Sequence, residues 1–357
     1  MPQPQWSWRL LRGLRHTENP PCGPQKSSVV RKTLLPSFLV LMFPLAGLAG
    51  HYASHPEAQA FAREMAAEED GFDEAGILSI LGQAEYQQSV IDSISRPAEK
   101  ELAWAKYQDI FLTEERTRSG VKFMAEHEAA LQEAQKLYGV PPAIVTAIIG
   151  VETMYGKFTG DYRVVDALAT LCFDYPPRAK LFCGQLKAFI RLVREEGKPI
   201  TSLKGSYAGA MGLGQFIPSS YLNYAVDFDG DGFRDIWNNP TDAIGSVANY
   251  LAEHDWQRGG GIAFQAEAGE APPDVFNVSL KPSKTIAELE ALGVAAPPED
   301  LDRQQRVTPI RLTGKQGDEF WLGLKNFYVI TRYNHSELYA MAVYQLSEGL
   351  RKAADSI

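Results

Sequence analysis

Glu152 ends an apolar run, residues 143–151, and is the side chain best placed by type and surroundings for acid–base chemistry. Pro141-Pro142 before the run favours a helix start, and Gly156 after it favours a helix end. The carboxyl is therefore predicted at a helix C-terminus among aliphatic side chains, where the helix dipole and lost hydration raise its pKa. A carboxyl that stays protonated near neutral pH can act as a general acid. The alternative is an exposed glutamate on the polar side of a buried helix.

The glycine-rich segment 206–221, SYAGAMGLGQFIPSSY, is a second candidate, because glycines let backbone approach a ligand closely. Gln215 within it offers both a donor and an acceptor to sugar hydroxyls and amides. Pro218 followed by Ser219-Ser220 predicts a turn into a helix. The segment lacks the G-x-x-x-x-G-K spacing of phosphate-binding loops, so phosphate binding is not indicated.

An acidic segment, residues 227–238, has the spacing that begins an EF-hand calcium loop. The acids at its first, third and fifth positions are Asp227, Asp229 and Asp231. The backbone carbonyl of Phe233 falls at the seventh position, whereas Asn238 replaces the glutamate expected at the twelfth, which argues against an ordinary EF-hand. Clustered carboxylates repel one another without a cation. The segment therefore predicts a structural Ca²⁺ site, the alternative being a metal-free acidic turn.

A second catalytic carboxylate is not evident in the sequence. Hydrolysis of a glycoside normally uses two carboxyl groups, one on each side of the scissile bond. Asp161, Asp166 and Asp174 are available as partners for Glu152, but each also fits an ordinary turn or helix-cap position. A paired-carboxylate mechanism therefore stays open at this point.

Helices must position most of these residues. Residues 56–139 are rich in Glu, Ala and Gln and place apolar residues at helical spacing, with a break at Arg96-Pro97. Residues 141–258 stay mainly helical between loops rich in glycine and proline. The chain up to residue 258 is thus expected to be a helical body.

The character of the chain changes after residue 258. Three consecutive glycines, two Pro-Pro pairs and the short stretches 276–280 and 306–312 predict a small β-rich insertion. Helical character returns at residues 320–326 and 336–351. The predicted regions are a leader at 1–49, an N-terminal helical region at 50–140, a core at 141–258, the β insertion at 259–315 and a helical return at 316–357.

The beginning of the chain resembles an export signal. Arg31-Lys32 precede the apolar stretch 34–48, and small residues follow it. This order is typical of a secretory signal, and the stretch is too short to predict a membrane span. We expect cleavage near Ala49 and a soluble periplasmic protein. No cysteine lies at the end of the stretch, so no lipid anchor is predicted.

The charge of the chain argues against one class of partner. Residues 1–49 hold six Lys/Arg and one acid, and without them 29 basic residues face 43 acidic ones, a formal charge of −14. A chain this acidic is poorly suited to binding nucleic acid, which relies on neutralising phosphates. At 357 residues and 45% hydrophobic, the chain is long enough for two domains or one elaborated domain.

Two cysteines, Cys172 and Cys183, follow the predicted leader, which contains Cys22. In an oxidising compartment the two could form a disulfide. Two free buried thiols are the alternative.

Together these segments resemble the membrane-bound lytic transglycosylase B family, glycoside hydrolase family 103, in the lysozyme-like superfamily. The resemblance covers almost all of the chain after the leader. It is carried by GVET at 150–153, YRVVDAL at 162–168, FDYPPRA at 173–179, GAMG…QFIPSSY at 209–221 and RYNHS at 332–336.

The resemblance implies a mainly α (α+β) fold: a lysozyme-like helical core with an additional helical region and a small inserted β domain. It implies that Glu152 is the only catalytic carboxylate and that an acid beyond the twelfth position, Asp242, closes the calcium cage. The positions that match sugar-binding residues of the family are Ser206, Gln215, Tyr250, Tyr333, Asn334 and, bordering the groove, Tyr107. Arg178 matches an arginine that can contact the stem peptide of the glycan; the alternative interpretation is a solvated surface charge. For the tyrosines the alternative interpretation is ordinary packing in the core.

The implied reaction needs no second acid. The C6 hydroxyl of N-acetylmuramic acid attacks its own anomeric carbon, while Glu152 protonates the departing oxygen and then accepts the hydroxyl proton. The implied partners are peptidoglycan glycan strands, with cell-wall synthesis or hydrolysis complexes as further candidates, and no organic cofactor is expected. A muramidase that uses water and a non-catalytic, calcium-stabilised peptidoglycan-binding protein are the rival interpretations.

Overall fold

The computed structural model describes residues 52–95, 103–295 and 301–356. The predicted leader, its cleavage near Ala49 and the break at Arg96-Pro97 lie outside the described residues. The first six helices are α1 Pro56–Glu68, α2 Glu74–Leu81, α3 Gln88–Ser95, α4 Trp104–Phe111, α5 Glu114–Glu126 and α6 Glu128–Tyr138. The helical character predicted for residues 56–139 is therefore confirmed for 56–95 and 103–139, the part of this range that the structure describes. Apolar faces at helical spacing bury these helices against the rest of the core.

The centre of the molecule is built around an almost entirely buried helix. The helices of this region are α7 Pro142–Thr153, α8 Val164–Phe173, α9 Ala179–Glu195, α10 Pro218–Tyr224 and α11 Pro240–Glu253, and the C-terminal pair is α13 Lys325–Tyr333 and α14 Glu337–Ala354. Helix α7 is apolar on all sides because α5, α6, α11 and α14 pack around it. A two-stranded antiparallel ribbon, β1 Tyr162–Arg163 with β2 Lys204–Gly205, joins the loops near its end.

The predicted β insertion is a four-stranded antiparallel sheet with its own small hydrophobic core. Its strands are β3 Ala263–Ala266, β4 Lys284–Thr285, β5 Arg306–Gly314 and β6 Gly317–Gly323, arranged in the order β3-β6-β5-β4. The short helix α12, Ile286–Ala291, begins with a capping box formed by Thr285 and Glu288. Ile286, Leu289 and Leu322 lie in this second core.

The boundary predicted at residue 315 is wrong. It falls in the two-residue turn between β5 and β6, and the sheet continues to Gly323. The apolar residues of β6, Phe320 to Leu322, are consecutive, so the sequence alone is compatible with the start of the helix predicted at residues 320–326 as well as with a strand. In the structure these residues form a strand because they pair with β3 and β5.

The strand predicted at residues 276–280 is also not formed. Asn277 adopts φ +57°, and its side chain instead binds the edge of β5, with Nδ2 donating to Arg311 O and Oδ1 accepting from Arg311 N, both at 2.8 Å. One backbone hydrogen bond, from Asn277 N to Pro309 O at 3.0 Å, and the two side-chain bonds therefore cover the edge of β5 without a further strand.

Cys172 and Cys183 form a disulfide that joins α8 to α9, with the two Cα atoms 4.6 Å apart. The pairing predicted as one of two possibilities is thus present. The intervening single-turn 3₁₀ helix, Pro176–Arg178, carries Arg178.

Within the described residues no single helix is long and apolar enough to span a membrane. Helices α6 and α7 are long and apolar enough only when taken as one segment, and the chain bends by 114° between them.

Candidate active site

Glu152 lies in the last turn of α7, as the flanking prolines and glycine predict. The helix begins at Pro142, ends at Thr153 and is capped by Met154 in the left-handed conformation. Tyr155 is left-handed as well, with φ +60°. Two consecutive non-glycine residues in this conformation are unusual, and each is strained unless its surroundings hold it. The sharp exit of the chain leaves the Glu152 side chain half-buried at the end of the buried helix.

The electrostatics of Glu152 suit a proton donor. Burial raises the pKa of its carboxyl to about 7, and a hydrogen bond from the Tyr339 hydroxyl to Oε1, 2.7 Å long, opposes that rise. A carboxyl with such a pKa is substantially protonated at neutral pH and can also be deprotonated there. Tyr339 comes from α14, and no local pattern in the sequence indicated its role.

Tyrosines line the space beside Glu152. The rings of Tyr333 and Tyr339 stack with centroids 6.4 Å apart, and Tyr250 packs edge-on against Tyr333 at 4.8 Å. The Tyr333 hydroxyl donates to Gly214 O, and the Tyr250 hydroxyl donates to Arg332 O at 2.6 Å. The structure thus brings the predicted Tyr250 and Tyr333 into one aromatic cluster with Tyr339.

The glycine-rich segment lies against α7. The Thr153 hydroxyl donates to Leu213 O at 2.9 Å, which fixes the segment beside the end of the helix. Position 212 requires glycine for two reasons: its φ is +68°, and a Cβ there would lie 2.4 Å from Ile236 O. Gln215 also has a positive φ, +51°, and its Nε2 donates to Thr159 O and Gly212 O at 3.1 and 3.0 Å. The predicted turn into a helix is α10, which begins at Pro218.

The remaining predicted sugar-binding residues, Ser206, Asn334 and Tyr107, lie in three different surroundings. Ser206 is the first residue of the glycine-rich segment, and its Oγ accepts from Ala210 N at 3.1 Å. The buried Asn334 Oδ1 has no hydrogen-bond partner among the described residues, so an acceptor is available next to Tyr333. Tyr107 on α4 is only 2% exposed, and it contributes to the raised pKa of Tyr339 after larger effects of burial and Glu152.

Arg178 stands apart from this group. It is half-buried at the N-terminal end of α9, and its side chain makes no hydrogen bond or ion pair with the described residues. No contact in the described part of the chain links it to Glu152 or to the tyrosine cluster. The structure therefore does not bring Arg178 together with the other predicted residues.

The acidic segment forms a compact loop between α10 and α11. Oxygen atoms of Asp227, Asp229 and Asp242 lie within 4.8 Å of one another. The Asp231 carboxylate is outside that group and accepts from Phe233 N at 2.9 Å, while Phe233 O accepts from Asp235 N at 3.0 Å. Three of the predicted carboxylate ligands thus converge in the structure, whereas the Asp231 carboxylate does not.

A lysozyme-like helical core with a glutamate of raised pKa beside a tyrosine cluster defines a class of glycan-cleaving enzymes. The profile of the transglycosylase SLT domain family matches residues 53–348. The membrane-bound lytic murein transglycosylase B of Escherichia coli (strain K12) is 44% identical over 317 residues, which cover 86% of this chain and 86% of that protein.

Solved structures agree with this result. The catenated lytic transglycosylase SltB1 from Pseudomonas aeruginosa is 46% identical with a TM-score of 0.81, covering 85% of this chain and 99% of that one. The Escherichia coli lytic transglycosylase Slt35, solved in complex with calcium, is 43% identical with a TM-score of 0.78, covering 88% and 100%. SltB3 from Pseudomonas aeruginosa, solved with NAG-anhNAM-pentapeptide, is 32% identical with a TM-score of 0.71, covering 83% and 78%.

The chain belongs to the lytic murein transglycosylase B family, within the transglycosylase SLT domain family. It is accordingly a peptidoglycan lytic transglycosylase, an enzyme that degrades murein as a lyase.

Proposed function

We propose that Glu152 is the single general acid and base of this transglycosylase, acting on the bond from N-acetylmuramic acid to N-acetylglucosamine. The observation that carries the proposal is the Glu152 carboxyl itself, whose pKa of about 7 results from burial opposed by the Tyr339 hydrogen bond. Such a group can protonate the departing glycosidic oxygen and then accept a proton in the same turnover. General acid–base catalysis of this kind contributes roughly 10²- to 10⁴-fold to a rate.

The surroundings of the other acids support a mechanism with one carboxylate. Asp166 Oδ1 accepts from Glu85 N at 3.0 Å and pairs with Arg163, also at 3.0 Å. Asp174 accepts from the Tyr52 hydroxyl at 2.6 Å. Both carboxylates are therefore engaged in holding the N-terminal part of the chain. Asp161, the third possible partner, is exposed before β1.

Without a second carboxylate, the nucleophile is proposed to be the C6 hydroxyl of the muramic sugar. This oxygen is tethered to the ring that it attacks, which gives the effective concentration advantage of an intramolecular reaction. As the bond from C1 to the leaving oxygen breaks, Glu152 gives its proton to that oxygen. As the bond from C1 to O6 forms, Glu152 accepts the O6 proton and is ready for the next turnover. The product would be a 1,6-anhydro-N-acetylmuramic end. The complex of SltB3 with NAG-anhNAM-pentapeptide is consistent with a product of this kind.

We propose that Ser206, Gln215, Tyr250, Tyr333 and Asn334 line the glycan-binding surface. Asn334 offers a buried acceptor that lacks a partner among the described residues. Tyr107 is proposed as an aromatic border and Arg178 as a contact for the carboxylate of a stem peptide, which suits the planar guanidinium. No described contact joins Arg178 to the other residues of this surface.

The acidic loop is proposed to hold a structural Ca²⁺ ion. Asp227, Asp229 and Asp242 present oxygen atoms within 4.8 Å of one another, and carboxylate oxygens are the ligands that this hard cation prefers. The Asp231 carboxylate would have to turn inward to join them, and the Phe233 carbonyl is proposed as a further ligand. The calcium complex of Slt35 supports the proposal for this chain. The ion would fix the loop that holds the glycine-rich segment, since Ile236 O accepts from Leu213 N at 2.9 Å.

The proposed location is the periplasm, where peptidoglycan strands are the substrate. The leader would be removed near Ala49, and the disulfide between Cys172 and Cys183 is consistent with an oxidising compartment. The mass of the protein isolated from the envelope would give the site of cleavage.

Mass spectrometry of fragments released from purified sacculi tests the reaction. Products ending in 1,6-anhydro-N-acetylmuramic acid, lighter than hydrolytic products by one water and resistant to borohydride, are expected. If most products carry a free reducing end that borohydride reduces, the proposal is wrong. The protein would then be a muramidase that uses water and a second carboxylate.

A further inference from the structure

Arg116 carries a positive charge into the interior behind the helix that bears Glu152. It lies on α5, is 8% exposed, and has no carboxylate within ion-pair distance among the described residues. Backbone carbonyls hold its guanidinium instead: Nη1 donates to Gly150 O of α7 and Nη2 donates to Ile110 O of α4 at 3.3 Å. A buried cation without a counter-ion costs stability, and an apolar residue would fill the same space at lower cost. Packing alone therefore does not account for an arginine here.

Tyr155 packs beside Arg116, between helices α5 and α7. Its ring passes over Gly150, where a Cβ would lie 2.6 Å from Cζ, and reaches Gly120, where a Cβ would lie 2.3 Å from the hydroxyl oxygen. The hydroxyl donates to Arg116 O at 2.9 Å. The left-handed conformation of Tyr155, φ +60°, is thus held by a close fit between two glycines.

These contacts meet at the last turn of α7. Gly150 lies two residues before Glu152, and its carbonyl accepts from Met154 N at 3.1 Å as well as from Arg116. Through Ile110 O the same guanidinium also holds the end of α4, the helix that carries Tyr107. One side chain therefore joins the helix of the proposed acid to the helix of a proposed groove residue.

We propose that Arg116, Gly120, Gly150 and Tyr155 form a brace that fixes Glu152 in the position from which it protonates the glycosidic oxygen. Arg116 and Tyr155 are positioning residues, since they act through the last turn of α7. The inference rests on the proposed role of Glu152 as the general acid. Misplacement of a catalytic group by about 1 Å can reduce a rate by about 100-fold, so loosening this turn should be visible in turnover.

Arg116→Met tests the brace, because it removes the donors and the charge but keeps a long side chain. With soluble glycan strands as substrate, kcat should fall about 10- to 100-fold while KM stays nearly constant. The falling limb of the pH–kcat profile should move to lower pH, because a loosened Glu152 gains water and its pKa falls. Tyr333 and Tyr339, the other titratable groups facing Glu152, are unchanged in this variant, and burial and the Glu152 charge raise the pKa of both.

Matched variants separate positioning from folding. Arg118→Met changes an exposed arginine on the same helix and should leave kcat, KM and the pH profile at wild-type values. Tyr155→Phe keeps the ring and deletes only the hydroxyl that binds Arg116 O, so it should lower kcat by a smaller factor than Arg116→Met. Arg116→Lys keeps the charge and should restore part of the activity that Arg116→Met loses. A purely structural role would lower Tm in these variants without moving the pH limb.

The results distinguish this inference from the proposed function. Wild-type kcat and an unmoved pH limb in both Arg116→Met and Tyr155→Phe overturn the brace and leave the role of Glu152 intact. If Arg116→Met does not fold, Tyr155→Phe decides by the same two measurements. Retained activity in Glu152→Gln overturns the proposed function and the brace together.

Discussion

The hydroxyl of Tyr339 donates a 2.7 Å hydrogen bond to Oε1 of Glu152, although 187 positions separate the two residues in the chain. The bond favours the charged carboxylate, whereas burial favours the neutral acid, and burial is the larger effect. The pKa of about 7 is the balance of these two. A helix from the C-terminal end of the chain therefore adjusts the acidity of a residue on the central helix.

Glu152→Gln should reduce the release of fragments from sacculi by several orders of magnitude, since an amide cannot donate or accept the proton and each step depends on that transfer. Glu126→Gln, an exposed change on α5, is the matched control and should keep full activity. The measurement is turnover on purified sacculi. More than about a tenth of wild-type turnover in Glu152→Gln would remove Glu152 from the catalytic role.

Glu152→Gln should also stabilise the folded protein at alkaline pH. The pKa of Glu152 is raised in the folded state, so its contribution to the free energy of unfolding is most favourable at low pH and is lost as pH rises toward about 7. Above that pH the folded protein holds a charged carboxylate in a buried place, and the neutral amide avoids this. Thermal melts at pH 5 and pH 8 should show Glu152→Gln gaining in Tm relative to wild type at the higher pH.

The pH dependence of turnover should respond to Tyr339→Phe. Wild-type kcat should fall as pH rises through about 7, because Glu152 must be protonated to act as an acid. Phenylalanine removes the donor that favours the carboxylate, so the pKa of Glu152 rises and the falling limb moves to higher pH. Tyr344→Phe on the same helix is the control and should leave the limb in place. A limb that stays or moves to lower pH in Tyr339→Phe would contradict this assignment.

Calcium should raise Tm, because a ligand that binds only the folded state stabilises it by mass action, by about 2.7 kcal/mol at 100 times Kd. Asp229→Ala should abolish the shift, and the exposed Asp70→Ala should preserve it. Calorimetry with chelator and then with excess Ca²⁺ makes the measurement. Identical melting curves under the two conditions would refute the site. Turnover at low temperature should persist with chelator, since the ion is assigned no part in the chemistry.

Removal of the disulfide should lower stability without abolishing turnover. The double variant Cys172→Ser, Cys183→Ser frees a loop with a sequence separation of 11, for which chain entropy predicts a loss of about 2–3 kcal/mol at most. Tm should fall in the double variant and, for wild type, on addition of reductant, whereas reductant should not affect the variant. Quantitative labelling of two free thiols in protein isolated from the periplasm would show that the bridge does not form there.

The sequence by itself determined the features that depend on neighbouring residues. Pro142 begins the helix of Glu152, because proline lacks an amide that the first turn does not use. Gly156 indicated that the helix ends nearby, and the left-handed cap itself is Met154, two residues earlier. The spacing of Asp227 and Asp229 brought two oxygen ligands together within one loop, and an eleven-residue separation allowed Cys172 and Cys183 to meet. These are short-range consequences of backbone geometry. The family motifs extended them to the lysozyme-like fold.

Only the tertiary structure decided which side chains surround Glu152. Tyr339 and Arg116 lie on ordinary amphipathic helices, and no local pattern distinguishes them from other core or surface residues. Their roles arise from the packing of α14 and α5 against α7, which depends on the shapes of many side chains at once. Long-range contacts also determined where the β insertion ends, since Gly317–Gly323 forms a strand by pairing with β3 and β5. Local signals specify where a helix or turn begins, whereas long-range packing specifies what its residues touch.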